Sequence, residues 1–570
     1  MKRRNLKVVA IASIVGSFAA SCTLLKDLEY TVTPNPIEQH GDTCTLKING
    51  KFIEKGLNAK AIVEVTPVLV NSDGTERSFK TEIFKGEKAA GNGIVVPKAG
   101  KSFTYNSEVG CECGEFSESV LKVKLLPKKG TKVMDEILTD KIADGVIHTP
   151  CLLMSDDKVV FAKDNFVRVT QHTTEVTFNY LKGNATVRSG ELKDQDVLDF
   201  KNWVTGAIAN PKIVMKQFGV MAYASPEGEI EKNDNLASDR ANSAKGAMVK
   251  MMKQVGVEAG TQDGFYNLMP KGEDWSGLKE LIGASDHPDK NIIISVAEMN
   301  GDDAKREAEI KTLAHTYKFL EDDIFPKLRR SQMTLSYDLN GLTDEELLQW
   351  SQSKPDSMAL EEILFTANNL VEDLNEKLRL FQVAEKVYSN DWRAINNVGY
   401  IYMLQNKMDD ASAQFEKAAE LDSDPIVKNN LGVIARLNGN IAKAEELFNE
   451  GLSAGPEAKY NLGLVQIKKG EYASAIDNMG SYNTFNAGLA KYLNGDTDGA
   501  VAAVDGSSEA STAMGHYLKA VVGARTGNKE MMTSNLKDAI AKDAQCKAKA
   551  SKDREFMKYF EDADFKAMVQ

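Results

Sequence analysis

Histidine is scarce in this 570-residue chain, with six in all. The sequence also lacks Gly-x-Ser-x-Gly, His-Glu-x-x-His and any Gly-rich phosphate loop, the spacings that nucleophilic, zinc-dependent and phosphoryl-transfer enzymes use. An enzyme is therefore the least favoured class, and neither a metal nor a cofactor is expected. Positive charge is short too. Lys and Arg number 70 against 82 Asp and Glu, a formal net charge of -12, which leaves little to displace counterions and excludes sequence-independent nucleic-acid binding. The apolar run from Val8 to Ala20 is shorter than the ~20 residues that a bilayer-spanning helix needs. Length remains, and at ~150 residues per domain it predicts three or four domains.

Lys2, Arg3, Arg4 and Lys7 precede that apolar run, the order of a secretory signal. It ends in Ala19-Ala20-Ser21-Cys22, which resembles a bacterial lipobox. The resemblance implies removal of residues 1–21 and acylation of Cys22 on its thiol and new amine, and two or more acyl chains anchor stably. An ordinary signal with an incidental cysteine is the alternative. Thr-Leu-Leu-Lys26-Asp27-Leu28-Glu29 follows Cys22 and only partly matches the acid-rich tag that sends some Bacteroidetes lipoproteins to the surface. The expected location is thus the periplasmic face of the outer membrane, with the cell surface as the alternative.

Residues 22–160 read as a lipid-anchored β-sandwich. Ala61–Val65, Phe79–Ile83 and Leu121–Leu125 are β-rich and divided by turn signals such as Asn71-Ser-Asp73-Gly74. Cys44, Cys111, Cys113 and Cys151 fall here. Outside the cytoplasm they could form disulfides in three pairings. A metal site through Cys111-Glu-Cys113 is weaker, because it lacks the two-residue knuckle and a neighbouring histidine. Inert thiols are the third reading, and Cys546 has no evident partner.

Residues 165–340 alternate strand and helix. Val176–Tyr180 reads as a strand, and Val197, Phe200, Val204 and Ile208 mark a helix face closed by Asn210-Pro211. A second strand runs from Phe218 to Ala224 into Ser225-Pro226-Glu227-Gly228, and Ala237, Ala241, Ala244, Met248 and Met252 stripe the next helix, with Arg240 in its first turn. Gly264–Leu268 and Met333–Tyr337 supply two further strands. Between them, about 270–326, lies a helical insertion with Ile310, Leu313, Ala314, Tyr317 and Leu320 on one side. The run Gly228, Asn233, Leu236, Arg240, Ala241 resembles the OmpA-like peptidoglycan-associating domain, and the insertion is similar to Bacteroidetes versions of it. That resemblance implies an α+β sandwich in which Arg240 forks a carboxylate of diaminopimelate. The family's Asp position reads Ser225, which cannot neutralise an ammonium, although Glu227 could substitute; Asn233 completes the candidate wall-binding set. The competing reading makes Arg240 a surface bridge to Asp239 or Glu227 beside a degenerate pocket.

Thr343-Asp-Glu-Glu346 forms a capping box that opens an all-helical region, 343–545. Gly399, Gly432, Gly463 and Gly488 recur at spacings of 33, 31 and 25, each followed twelve residues on by Ala411, Ala444, Ala475 or Ala500; Phe415 and Phe448 follow four later. This pattern resembles tetratricopeptide repeats. Residues 361–388 are expected to supply a leading pair, Tyr517–Ile540 another, and 546–570 a helical cap. The resemblance implies a concave groove for a peptide or protein, with Asn396, Tyr400, Asn429, Arg436, Asn461 and Lys468 on its inner helices; the bland reading is that the asparagines bond neighbouring turns. His315, and clusters such as Glu321-Asp-Asp323, read as structural or solvated. The function expected is a non-catalytic outer-membrane scaffold that reaches peptidoglycan and a protein partner. An accessory subunit of an outer-membrane assembly or secretion machine is the alternative.

Overall fold

A computed structural model describes residues 28–299, 303–312 and 314–570. The signal segment 1–21 and Cys22 lie outside the described residues. Two compact units emerge, one formed by the chain up to Lys163 with Asp373–Gln570, the other by Asp164–Glu372.

The first unit begins as two antiparallel-rich sheets. Thr43–Phe52 pairs with Leu28–Thr33 and Lys101–Gly110 in one, and Ala61–Val70 pairs with Val120–Lys129 in the other. Burial alternates residue by residue along Thr43–Phe52 and Val120–Lys129, because successive side chains leave opposite faces of a strand. The inward set, including Leu46, Ile48, Leu69, Phe79 and Leu121, forms a shared core. Phe79 is buried but lies outside the strand, which runs Glu82–Gly86. The turn expected at Asn71–Gly74 is present: Gly74 donates to Asn71, and its φ of +87° is one that glycine adopts without strain. Disulfides join Cys44 to Cys111 and Cys113 to Cys151, so the metal and free-thiol readings of these four give way. Cys546 is buried and unpaired.

The same unit continues as paired antiparallel helices from Leu374–Val387 to Lys529–Lys542. The glycine pattern has a steric cause. A methyl on Gly399 or Gly432 would lie 2.7 or 2.6 Å from the ring of Phe415 or Phe448, and one on Gly463 or Gly488 would lie 2.8 or 2.7 Å from Met479 or Val504. Met479 and Val504 thus do in the later repeats what the phenylalanines do in the first two. Aspartates cap several first helices, Asp391 accepting from Arg393 and Asp424 from Ile426. Beyond Lys542, Gln545–Ala550 and Ala563–Val569 close the end, burying Cys546, Phe556 and Phe565. The sandwich joins these helices through Tyr472, whose hydroxyl accepts from the Gly41 amide at 2.9 Å, and through Thr149, which bonds the buried Glu555.

The second unit is a four-stranded sheet in the order Val169–Asn179, Arg330–Asn340, Ile213–Ala224, Tyr266–Glu273, with the last pair parallel and the others antiparallel. Gln195–Ala209 and Ile230–Val255 supply helical core residues: Val197, Phe200 and Val204 from the first, Ala241, Ala244, Met248 and Met252 from the second. Ala207 completes the buried face of the first helix, whereas Ile208 is exposed. The helices between Trp275 and Leu328 have a small core of their own, in which Ile310 and Leu320 join Trp275 and Leu278. Leu313 and the side chains of Ala314 and His315 lie outside the described residues. This unit also extends past the expected boundary at residue 340. Asp344–Ser353 and Leu360–Phe365 belong to it, held by the ring pair Phe166–Phe365 and by Arg168 on Asp344. The first helix of the repeat region is accordingly Leu374–Val387, and 361–372 is not part of a leading pair.

Candidate functional site

Four successive repeats carry asparagine on the first helix, where an apolar residue would be expected: Asn396 and Asn397 on Trp392–Leu404, Asn429 and Asn430 on Pro425–Leu437, Asn461 on Pro456–Lys469, and Asn486 on Phe485–Leu493. All six are fully buried. A buried carboxamide needs partners, since an orphaned one costs about 1–3 kcal/mol. The partners come from the segment after the β-sandwich, 154–162, which forms no helix or strand of its own.

The contacts are regular. The Asn461 oxygen accepts from the Lys158 amide at 2.8 Å, and its nitrogen donates to the Lys158 carbonyl at 2.8 Å. Asn430 closes the same two-bond ring on Val160 at 2.8 and 2.7 Å, Asn397 on Ala162 at 2.6 and 2.9 Å, and Asn486 on Met154 at 2.9 and 2.9 Å. Residues 158, 160 and 162 fall on one side of an extended chain, so consecutive repeats read alternate residues through main-chain atoms alone. The carboxamides also bond one another, Asn461 to Asn429, Asn429 to Asn430, Asn430 to Asn396 and Asn396 to Asn397, at 2.9 to 3.2 Å. The ladder therefore fixes its own orientation.

Side chains add selectivity. Arg436 forks Asp157 through Nε and Nη2, with their side chains only 9% and 3% exposed. Asp156 accepts from the Tyr460 hydroxyl and from Asn486, the latter at 2.7 Å. Burial pushes the Tyr460 phenol up, and the Asp156 charge adds to it, so the hydroxyl stays a donor. Val159 packs with Val433, Phe448 and Val465, and Phe161 meets Tyr400 edge-on at 5.7 Å.

Of the residues expected to line the groove, Asn396, Tyr400, Asn429, Arg436 and Asn461 all touch this segment. Lys468 does not; it pairs with Asp42 of the sandwich at 2.6 Å. Sequence reasoning missed Asn397, Asn430, Asn486, Tyr460, Asp156 and Asp157. A signal for two of them was present in the doublets Asn396-Asn397 and Asn429-Asn430, where one asparagine of each had been singled out.

The residues expected to bind peptidoglycan are arranged differently. The helix carrying Arg240 starts at Ile230, so Arg240 lies about three turns in and not at the N-terminus, and the helix amides cannot aid it in holding an anion. Its guanidinium is fully buried and donates to the carbonyls of Asn184, Tyr223 and Leu181 at 3.0, 2.7 and 3.3 Å, beside the Tyr180 ring at 5.1 Å. Burial lowers it to about 10. Neither the ligand fork nor the exposed bridge to Asp239 or Glu227 describes this environment. Glu227 instead pairs with Arg329 at 2.7 Å and Lys182 at 2.9 Å. Burial alone would raise its carboxyl, but bonds from Ser225 and Lys182 and the Arg329 charge hold it below its ordinary value. Asn233 bonds the Ser225 carbonyl at 3.2 Å and Glu273 at 2.7 Å. Ser225 and Glu227 thus meet at Arg329, with Asn233 bonded to the Ser225 carbonyl, while Arg240 is engaged with main chain. Among the described residues no group of His, Cys, Asp and Glu is arranged to hold a metal ion.

Comparison with known proteins bears on the helices. The tetratricopeptide repeat family matches residues 399–459 and 430–478. A curated relative, the BBSome complex member BBS4 of Bos taurus, is 27% identical over 112 residues, 19% of this chain and 22% of that protein; the chain thus spans less than a quarter of that relative. Similar solved structures include Pseudomonas aeruginosa PilF, at 14% identity over 36% of this chain and 97% of that one with a TM-score of 0.28. A tetratricopeptide repeat protein from Parabacteroides merdae is 12% identical over 44% of this chain and 99% of that one, with a TM-score of 0.27. The helical region after the central unit contains tetratricopeptide repeats, the architecture of a protein-interaction scaffold.

Proposed function

We propose that the chain is a non-catalytic envelope lipoprotein, anchored to the outer membrane through Cys22 and facing the periplasm, whose repeats hold extended polypeptide for a protein partner. The observation that carries the interaction role is the asparagine ladder, which satisfies both main-chain groups of four residues and so requires an extended strand in the groove. The signal-like N-terminus and the Ala-Ala-Ser-Cys sequence support the anchor.

The central unit carries the Gly228, Asn233, Leu236, Arg240, Ala241 spacing that resembles an OmpA-like domain. Its candidate pocket supports the accessory-subunit version of the reading, in which this domain docks on protein, because Arg240 already serves three carbonyls and Glu227 already serves two cations. Two assays on one preparation test the proposal. Cys22→Ser should move the protein from the membrane pellet to the soluble periplasm, and the chain should bind purified sacculi no better than Arg240→Ala does. Retention of the variant in the pellet would refute the anchor; wild-type sacculus binding lost in Arg240→Ala would restore the wall-binding role.

A further inference from the structure

The groove's occupant also defines what else can enter it. Withdrawal of 154–162 would strip six carboxamides of their bonds to this segment and take Asp157 from the Arg436 guanidinium, so an empty groove is disfavoured. Any trans ligand must therefore replace this strand and bring the same chemistry. The ladder demands only extended main chain. Selectivity comes from the positions where side chains are read: an acidic residue held by Tyr460 and Asn486, a second acid forked by Arg436, an apolar residue two further on against Val433, Phe448 and Val465, and an aromatic two beyond that on Tyr400.

We propose that the repeat groove is the receptor for an extended acidic-then-apolar segment of a partner protein, for which Met154–Ala162 holds the place in cis. This rests on the interaction role proposed above and adds the partner's chemistry. An internal ligand competes at the high effective concentration that its covalent tether gives it, so exchange favours only partners that present both acids. Arg436 makes the charge requirement specific, since a guanidinium forked by a carboxylate binds a neutral side chain far less well.

The test uses the full chain and a fluorescent peptide with the sequence of residues 153–163. Replacing Asp156 and Asp157 by Lys should loosen the cis strand and tighten peptide binding at least tenfold over the unaltered chain. A peptide with both acids replaced by Asn should bind that variant at least tenfold more weakly than the acidic one. Equal binding of the two peptides, or no gain over the unaltered chain by a variant that keeps its helical content, would overturn the proposal. Should the double replacement not fold, the isosteric Asp157→Asn chain serves, and it must bind the acidic peptide more tightly than the unaltered chain does. A variant that dimerises by exchanging its own strand between copies would overturn the assignment to a partner. If protein crosslinked to the repeats in envelopes is recovered while the acidic peptide fails to bind, the scaffold reading stands and this inference falls.

Discussion

The asparagines of the repeats and the arginine of the central unit are all fully buried polar side chains on helices, and all are paired with main chain. They differ in where that main chain comes from. Asn397 and Asn430 bond residues 235 and 270 positions away, in a segment with no regular structure. Arg240 bonds carbonyls 17 to 59 positions away, within its own domain. Burial with satisfied hydrogen bonds thus has opposite meanings. In the groove the satisfied partner is an irregular segment distant in the chain, so the site is suited to extended polypeptide; around Arg240 the partners are the surrounding fold, so the guanidinium is committed to architecture.

The largest effect is expected at the ion pair. Arg436→Ala leaves the Asp157 carboxylate buried alone, at a cost of about 3–5 kcal/mol, and should open 154–163 to a protease that spares the intact chain. Replacing both partners, Arg436→Met with Asp157→Leu, should recover most of that loss, because the isolated charge is what costs. A cut rate unchanged in Arg436→Ala would break the comparison from the groove's side.

A smaller effect is expected on the ladder. Asn430→Leu removes both bonds to Val160 and the bonds to Asn396 and Asn429, about 1–3 kcal/mol if the freed groups stay buried. Exchange of the Val160 amide should accelerate roughly 5- to 150-fold, reading that range through RT. Acceleration spread evenly over the whole repeat region would mean that Asn430 supports the helices instead of the strand.

How much of this was legible follows from the range of each signal. The glycine, alanine and phenylalanine spacing of the repeats and the alternation of the sandwich strands are local, and both appear in the structure as read. The inner-helix asparagines were visible as polar residues in apolar helices, and five of six groove candidates meet the strand. That strand was not legible, because 154–162 has no pattern of its own and pairs with residues more than 230 positions on. Arg240 failed for a related reason. Its motif fixed the residue type, but the helix start at Ile230 and the loop carbonyls of Leu181 and Asn184 that enclose it depend on tertiary packing.

The smallest effect sharpens the central unit's side. Burial raises the Glu273 carboxyl to about 8, with Asn233 opposing and the neighbouring Glu307 adding to the rise. A carboxyl whose folded value exceeds its unfolded value of ~4.3 contributes stability that is fully present below that unfolded value and is lost as pH rises through about 8. The midpoint of denaturant unfolding for this unit should therefore fall as pH rises from ~4.3 towards about 8 and level off above it, and Glu273→Gln should flatten the fall. A midpoint that rises over that range in the unaltered chain would contradict this charge arrangement.

Hydrogen exchange on the unaltered full chain tests the central claim most directly. If the repeats hold their own strand, the amides of Lys158, Val160 and Ala162, each accepted by a buried asparagine oxygen, should be protected to a degree comparable with the helices Trp392–Leu404 and Pro425–Leu437. Exchange of these amides at the rate of an unstructured peptide, with those helices still protected, would contradict the account.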